Sequence, residues 1–381
     1  MCTPVSPKVG TLMLAPMAEL SHRALRELIE GASLPPGSSR SASSATPLSG
    51  AYEILYYTEM ISAPGLLAGG PLEKWYLDSG PCPQKLVYQL LGADTDQLVK
   101  AAALLDSRDC LGIDINMGCA APIITKTGAG VRWMEDINKA GRLIELIRRV
   151  TKKRLSVKIR LGPKPEKLRT AARNPGCPEG TMLDETVWTA LLAFCRRIEA
   201  AGADAITLHP RMAAEKFKRR ARWEYVEALR NELHIPVAGN GDINSAEELV
   251  QKAAAGPVMA GRLLVREPWA FAAALKISAG SYGTSGPGGT SPAKVPGQFL
   301  EETALRFLDL LARYQPPEFH LSRARRFFQY YCDNFTWAEY LRNQINREGT
   351  PVSAKAGNLS TKVGNLSCMG RVISDYCRNY L

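Results

Sequence analysis

The feature that most constrains the fold is an eightfold alternation of a short apolar run with a longer stretch of helical periodicity. The apolar runs, rich in Val, Ile and Leu, fall at residues 12–16, 53–58, 85–90, 112–116, 155–160, 204–209, 235–239 and 257–261. Helix-like segments between them include residues 142–150, 187–201 and 245–255. A repeated strand-then-helix order is typical of parallel α/β proteins. Eight such units predict a parallel (β/α)8 barrel, the TIM barrel.

The chain is longer than one barrel requires. A TIM barrel takes about 250 residues, and this chain has 381. We assign residues 8–278 to the barrel, the Gly/Ser/Pro-rich residues 279–297 to a flexible linker, and residues 298–381 to a small all-helical C-terminal domain. Residues 33–50 and 163–181 do not fit the barrel pattern, and we interpret both as surface insertions.

The charge balance indicates the kind of partner. Lys and Arg exceed Asp and Glu so that the formal net charge is +11. Clustered cations bind polyanions because phosphate contacts release condensed counterions. A nucleic-acid partner is therefore favoured, although a generally basic proteome would give the same balance.

Other compositional signals exclude several classes of protein. No run of about 18 uncharged apolar residues is present to span a membrane, and the first ten residues contain no apolar core of a signal peptide. The nine cysteines form no C-x-x-C pairs, which argues against a disulfide framework or a metal site. We expect a cytoplasmic monomer that contacts no membrane and holds no metal.

Polar side chains and glycines mark the C-terminal ends of the predicted strands, where TIM barrels place their working residues. In chain order these residues are Ala15, Pro16, Met17, Gln89, Asn116, Cys119, Lys158, Arg160, His209, Arg211, Asn240, Gly241, Asp242, Gly261 and Arg262. The glycines after strands seven and eight predict a cup of backbone N–H groups for a phosphate, with Arg262 adding a charge-assisted contact. A lysine inside an apolar strand, such as Lys158, also favours a functional role, since burying it without a partner is costly.

Nine stretches together resemble the ordered motif set of the tRNA-dihydrouridine synthases. They are LAPM (14–17), YTEMISA (57–63), QLLG (89–92), DINMGCAAP (114–122), KTGAG (126–130), VKIRLG (157–162), ITLHPR (206–211), VAGNGDI (237–243) and AGRLLVREPW (260–269). The resemblance covers essentially the whole barrel. It implies an FMN cofactor, NADPH or NADH as reductant, and reduction of uridine in tRNA by hydride transfer from the flavin to C6 and protonation of C5.

The resemblance also assigns roles to individual residues. It implies that Cys119 is the proton donor, which suits a thiol that is mostly protonated at neutral pH yet able to release its proton. It implies cofactor binding by Ala15, Pro16, Met17, Gln89, Asn116, Lys158, His209, Arg211, Asn240, Gly241, Asp242, Gly261 and Arg262. Lys158 would stabilise negative charge on the reduced flavin, whereas Gln89 and Asn116 could instead cap the adjacent loops. The family's usual Gly-Cys-Pro is here Gly118-Cys119-Ala120, so the position after the thiol lacks the fixed φ of proline.

Basic residues near the mouth and in the helical domain are the candidates for holding tRNA. We expect contacts from Asn116, Lys216, Lys218, Arg219, Arg220, Arg323 and Arg326. The aromatic residues Phe327, Phe328 and Tyr331 could join this clamp or form the core of the domain. An enzyme that acts on one base must turn that base out of its stack into a pocket.

Three alternatives fit parts of the pattern. One is an FMN-dependent barrel oxidoreductase of a small molecule, like dihydroorotate dehydrogenase or an ene-reductase. Another is a non-catalytic tRNA-binding protein on the same scaffold. A barrel aldolase with a Schiff base on Lys158 is the third, but it would leave Cys119 and the loop at Asn240 without a role.

Overall fold

Eight parallel strands close into a barrel in chain order, as the sequence predicts. The computed structural model describes residues 10–36, 52–163, 183–215, 219–280, 295–348 and 366–380. The strands β1 to β8 are Thr11–Leu14, Glu53–Ser62, Leu86–Leu91, Gly112–Met117, Arg154–Arg160, Ala205–His209, Val237–Asn240 and Val258–Ala260. Strand β1 pairs with β8, which closes the barrel. Each predicted strand overlaps an observed one, with shifts of a few residues at the ends.

Helices alternate with the strands and then continue beyond the barrel. The helices α1 to α11 are Arg23–Glu30, Ala63–Ala68, Glu73–Tyr76, Thr95–Asp106, Pro122–Thr125, Ile137–Val150, Glu185–Ala200, Glu224–Glu232, Ala246–Ala253, Arg262–Arg266 and Ala270–Ser278. The C-terminal helices α12 to α15 are Gly297–Tyr314, Pro317–Tyr331, Ala338–Glu348 and Leu366–Tyr380. Short 3-10 helices lie at Pro83–Lys85, Gly130–Glu135, Ala213–Glu215 and Cys332–Asn334. The helical C-terminal region is thus confirmed, and α12 packs against α1 of the barrel.

The apolar residues separate into an inner and an outer core. Alternate strand residues point to opposite faces of the sheet. Inward-facing side chains fill the barrel interior: Met13, Ala15, Leu55, Tyr57, Val87, Ala238 and Met259. The outer core lies between the sheet and its helices and extends into α12 to α15. Because the interior is filled with side chains, the space for a ligand is at the barrel mouth.

The aromatic residues of α13 belong to this outer core. Phe327 stacks on Phe307 with ring centroids 3.7 Å apart, and Tyr331 stacks on Phe327 at 4.9 Å. Phe327, Phe328 and Tyr331 are all 2% exposed or less. They are therefore core residues and cannot stack on RNA, which decides between the two interpretations of the sequence.

Several predicted segments lie wholly or largely outside the described residues. These are the insertions at 33–50 and 163–181 and the linker at 279–297. Over the part of the chain that is described, no helix is long and apolar enough to cross a membrane. The same residues contain no cluster of three or more His, Cys, Asp or Glu suited to a metal ion.

Candidate active site

A cavity of about 530 Å³ opens at the C-terminal ends of the strands. Every residue predicted to bind the cofactor, except Gln89, lines it: Ala15, Pro16, Met17, Asn116, Lys158, His209, Arg211, Asn240, Gly241, Asp242, Gly261 and Arg262. Cys119 lies in the same cavity. The fold thus brings together residues that are far apart in sequence.

One side of the cavity is organised around the carboxylate of Asp242. Arg211, only 2% exposed, donates to both of its oxygens at 2.5 and 2.6 Å. The backbone N–H of Ala221 donates to it at 2.7 Å, and Arg262 lies 3.4 Å away. Although burial acts to raise the pKa of Asp242, the hydrogen bonds and charge of Arg211 lower it below its ordinary value. Asp242 therefore orients the cations that face the cavity.

His209 is held as a neutral imidazole beside these cations. Burial, reinforced by the charges of Lys158, Arg160 and Arg211, lowers the pKa of His209 to about 2. Its Nε2 lies 2.9 Å from Nη1 of Arg211. Because a guanidinium can only donate, Nε2 accepts and the ring proton is assigned to Nδ1.

Gly241 lets the backbone pass close to the His209 ring. Its φ is +122°, and an added Cβ would lie 3.0 Å from Cδ2 and 3.1 Å from Nε2 of His209. A side chain here is both strained and crowded. The backbone after β7 can therefore lie this close to the His209 ring only because residue 241 is glycine.

We expect Gly241→Ala to weaken binding of the flavin that the sequence predicts for this cavity about tenfold, since a strain of roughly 1–2 kcal/mol opposes the geometry of the cavity wall. Flavin fluorescence titration measures the affinity. Gly256→Ala is the matched control, because Gly256 also has a left-handed φ of +139° but contacts Arg230 instead of the cavity. Equal loss of flavin affinity in both variants would contradict the assignment.

Lys158 projects into the cavity from β5. Its Nζ donates to Oδ1 of Asn240 at 2.9 Å, and Asn240 in turn donates to the carbonyl of Met259 at 2.8 Å. Burial, followed by the charge of Arg160, lowers the pKa of Lys158 to about 8. The amine is thus charged at neutral pH and placed where added negative charge would be stabilised.

The loop that carries Cys119 is fixed by hydrogen bonds at Gly118 and Cys119. Oδ1 of Asn116 accepts from the N–H groups of Gly118 and Cys119. Arg160 donates through Nε to the carbonyl of Gly118 at 2.8 Å. The carbonyl of Cys119 accepts from Val131 at 2.9 Å. These bonds hold the loop although Ala120 replaces the family's proline.

A buried polar chain supports this loop from below. Asn116 donates to Gln89 at 2.9 Å, Gln89 donates to Asp114 at 2.7 Å, and Ser156 donates to Asp114 at 2.6 Å. Gln89 is fully buried and is not among the residues that line the cavity. Gln89 supports the loop from beneath Asn116, and its bond to the flavin stays a prediction, whereas Asn116 both caps the loop and lines the cavity.

The residues predicted to hold tRNA differ in their exposure to solvent. Lys216 and Lys218 lie outside the described residues, while Arg219 and Arg220 are exposed. Arg323 is a correction: it is 2% exposed and paired with Glu59 inside the protein. Arg326 is exposed and lines the cavity.

Several cavity residues escaped the sequence-based assignment, among them Arg160, Met60 and Tyr330. Arg160 was visible as a polar strand end, but nothing in the sequence showed that it braces the Cys119 loop. Met60 and Tyr330 also line the cavity. Tyr330 carries no local signal, because it belongs to a helix whose position relative to the barrel depends on long-range packing.

The comparisons with known proteins identify the family of this chain. A family model described as "Dihydrouridine synthase (Dus)" matches residues 13–179 and 181–365. A Synechocystis protein described as "Probable tRNA-dihydrouridine synthase 1" is 26% identical over 77% of this chain and 75% of its own length. A Mycobacterium tuberculosis protein described as "Probable tRNA-dihydrouridine synthase" is 28% identical over 88% of this chain and 77% of its own length. The chain belongs to the dihydrouridine synthase family and is an oxidoreductase that forms dihydrouridine from uridine.

Proposed function

We propose that this protein is a tRNA-dihydrouridine synthase that uses FMN and takes its reducing equivalents from NADPH or NADH. The observation that supports this most directly is the convergence of Cys119, Lys158 and the Arg211–Asp242 pair on one cavity. A thiol acid, an amine that can stabilise negative charge and a site for an anion are the groups that flavin-mediated reduction of a uracil ring requires.

The cavity residues fit FMN. Gly241 lets the backbone of the cavity wall lie against the His209 ring, and the cations of Arg211 and Arg262 suit a phosphate. Nη1 of Arg160 is buried without a hydrogen-bond partner among the described residues, which leaves a donor for a ligand. When bound there, FMN supplies the hydride.

The protein's own groups supply the rest of the chemistry. Cys119 gives the proton to C5 of the uracil, and the hydrogen bonds of its loop hold the thiol in place. Lys158 stabilises the negative charge that develops during reduction. The neutral His209 lines the site without adding charge. The cations that line the cavity, Lys158, Arg160, Arg211 and Arg262, also attract the phosphates of RNA.

We propose tRNA as the substrate because the relatives' descriptions name it and the chain has a net charge of +11. The exposed Arg219 and Arg220, with the neighbouring Lys216 and Lys218, would contact its phosphates. We also propose that residues 298–381 act as the tRNA-binding domain and that the protein works in the cytoplasm as a monomer.

Nucleoside mass spectrometry tests this proposal. We expect tRNA from cells that lack the gene to lose dihydrouridine at one or more positions. The wild-type gene should restore it, and a gene encoding Cys119→Ala should not. Unchanged dihydrouridine after deletion, with no other enzyme covering the same site, would favour the small-molecule flavoenzyme instead.

The pKa of Lys158 predicts a pH dependence. Raising the pH through about 8 removes the charge of the amine. We therefore expect the rate of dihydrouridine formation to fall at the alkaline limb of the pH profile. Lys158→Arg keeps a cation at higher pH, so its rate should fall less steeply above pH 8 than the wild-type rate. The rate should be measured from pH 6.5 to 9.5, and an identical limb in both proteins would assign it to another group.

A further inference from the structure

One wall of the cavity comes from the C-terminal helices instead of the barrel. Arg326 and Tyr330 of α13 line the cavity together with Cys119. They are four residues apart and so lie on the same side of the helix. Apart from the His209 imidazole, Tyr330 is the only aromatic ring among the described residues that line the cavity.

A buried ion pair anchors α13 near its middle. Arg323 donates to Glu59 on β2 at 2.8 Å, and their side chains are 2% and 5% exposed. The register between β2 and β3 shifts by one residue between Tyr57 and Met60. Such a bulge changes the direction of the side chains around it, and here it includes Glu59. The residue of β2 that anchors α13 therefore lies within the irregular part of that strand.

A second bond anchors the segment that follows α13. Asn334 donates through its amide to the carbonyl of Arg266 at 2.6 Å. Arg266 ends α10, the helix that starts at the cavity residue Arg262. Arg326 and Tyr330 therefore lie between two points that are fixed to the rim of the cavity.

The two side chains differ in a way that suits a nucleotide. Arg326 is exposed and has no hydrogen bond or ion pair within the described part of the chain, so its guanidinium is available to a phosphate. Tyr330 is half-buried, with its ring packed against the outer core, which restricts its movement. A fixed ring can stack on an unpaired base without a large loss of side-chain entropy.

We propose that Arg326 and Tyr330 form the wall that receives the uridine turned out of the RNA, with Tyr330 packing on the nucleoside and Arg326 pairing with an adjacent phosphate. This inference depends on the proposed function, because it names the part of the protein that holds that substrate in the site. The C-terminal helices then complete the pocket as well as supporting the RNA.

The test uses the full-length, FMN-loaded protein and tRNA that lacks dihydrouridine. The variants are Arg326→Gln, Tyr330→Leu and Tyr330→Phe. The matched control is Arg378→Gln, which removes an exposed charge from α15. The side chain of Arg378 does not line the cavity. Three quantities are measured: the Kd for tRNA, the rate of dihydrouridine formation in a single turnover, and the rate of flavin reduction by NADPH without RNA.

We expect Arg326→Gln to weaken tRNA binding about tenfold and Tyr330→Leu to slow single-turnover dihydrouridine formation about tenfold. Tyr330→Phe, which keeps the ring, and Arg378→Gln should stay within about twofold of the wild type. Flavin reduction by NADPH without RNA should fall less than the RNA-dependent quantities in Arg326→Gln and Tyr330→Leu, and should match the wild type in Arg378→Gln.

Wild-type single-turnover rates in Tyr330→Leu would overturn the inference and leave the proposed function standing. A defect of Arg326→Gln that appears in the NADPH step and not in tRNA binding would also overturn it, by assigning the wall to the nicotinamide nucleotide. Failure of the wild-type protein itself to form dihydrouridine would overturn both proposals.

Discussion

Replacing Cys119 with alanine should lower the rate of dihydrouridine formation by roughly 10²–10⁴-fold, the range that a positioned general acid contributes. Among the described residues that line the cavity, Cys119 is the only thiol. FMN binding and flavin reduction by NADPH should continue, because the groups assigned to the cofactor are untouched. Single-turnover kinetics with tRNA, paired with flavin reduction without RNA, separates the two steps.

Cys368→Ala serves as the control for this change. Cys368 lies on α15, away from the cavity, so its loss should leave the rate of dihydrouridine formation near that of the wild type. If Cys119→Ala were as active as Cys368→Ala, another group would have to be the acid. The buried Cys195, inside the outer core, is a structural cysteine, since burial raises the pKa of its thiol well above the ordinary value.

Replacing Glu59 with alanine should lower the free energy of unfolding by about 3–5 kcal/mol, the usual effect of removing one partner from a buried ion pair. Arg323 would keep its charge in a site where its side chain is 2% exposed. Its Nη1 already has no hydrogen-bond partner among the described residues. Urea unfolding of the FMN-free protein measures the loss.

The double variant Glu59→Gln with Arg323→Met tests the cause. Replacing both partners leaves no unpaired charge, so the double variant should recover much of the stability that Glu59→Ala loses. The single variant should also form dihydrouridine more slowly, because the helix that carries Arg326 and Tyr330 loses its anchor. A loss of less than about 1 kcal/mol in Glu59→Ala would show that the pair is not a strong constraint.

The positions of the strands and the polar strand ends could be read from local patterns. A strand such as β4, residues Gly112–Met117, is defined by its own apolar run, and parallel closure brings all the C-terminal ends to one mouth. The same holds for the start of α9, where Ser245 accepts from the N–H of Glu248 at 3.2 Å. Such features depend on neighbours within a few residues, which the sequence lists directly.

The division of labour between similar residues could not be read in this way. Arg323 and Arg326 lie three residues apart on one helix, yet the first is buried against Glu59 and the second faces the cavity. Gln89 and Asn116 are both strand-end amides, yet only Asn116 reaches the cavity. Each outcome depends on a partner from a distant part of the chain; Glu59 is 264 residues from Arg323.

The sequence by itself determined the barrel, its appended helices, the family and the ring of residues at the mouth, because periodicity and motif order are properties of the chain. Only the tertiary structure decided which of those residues reach the cavity and which support them. Burial and hydrogen-bond partners arise only when strands and helices pack. The one-residue register shift in β2 contains Glu59, which is the partner of Arg323 in α13.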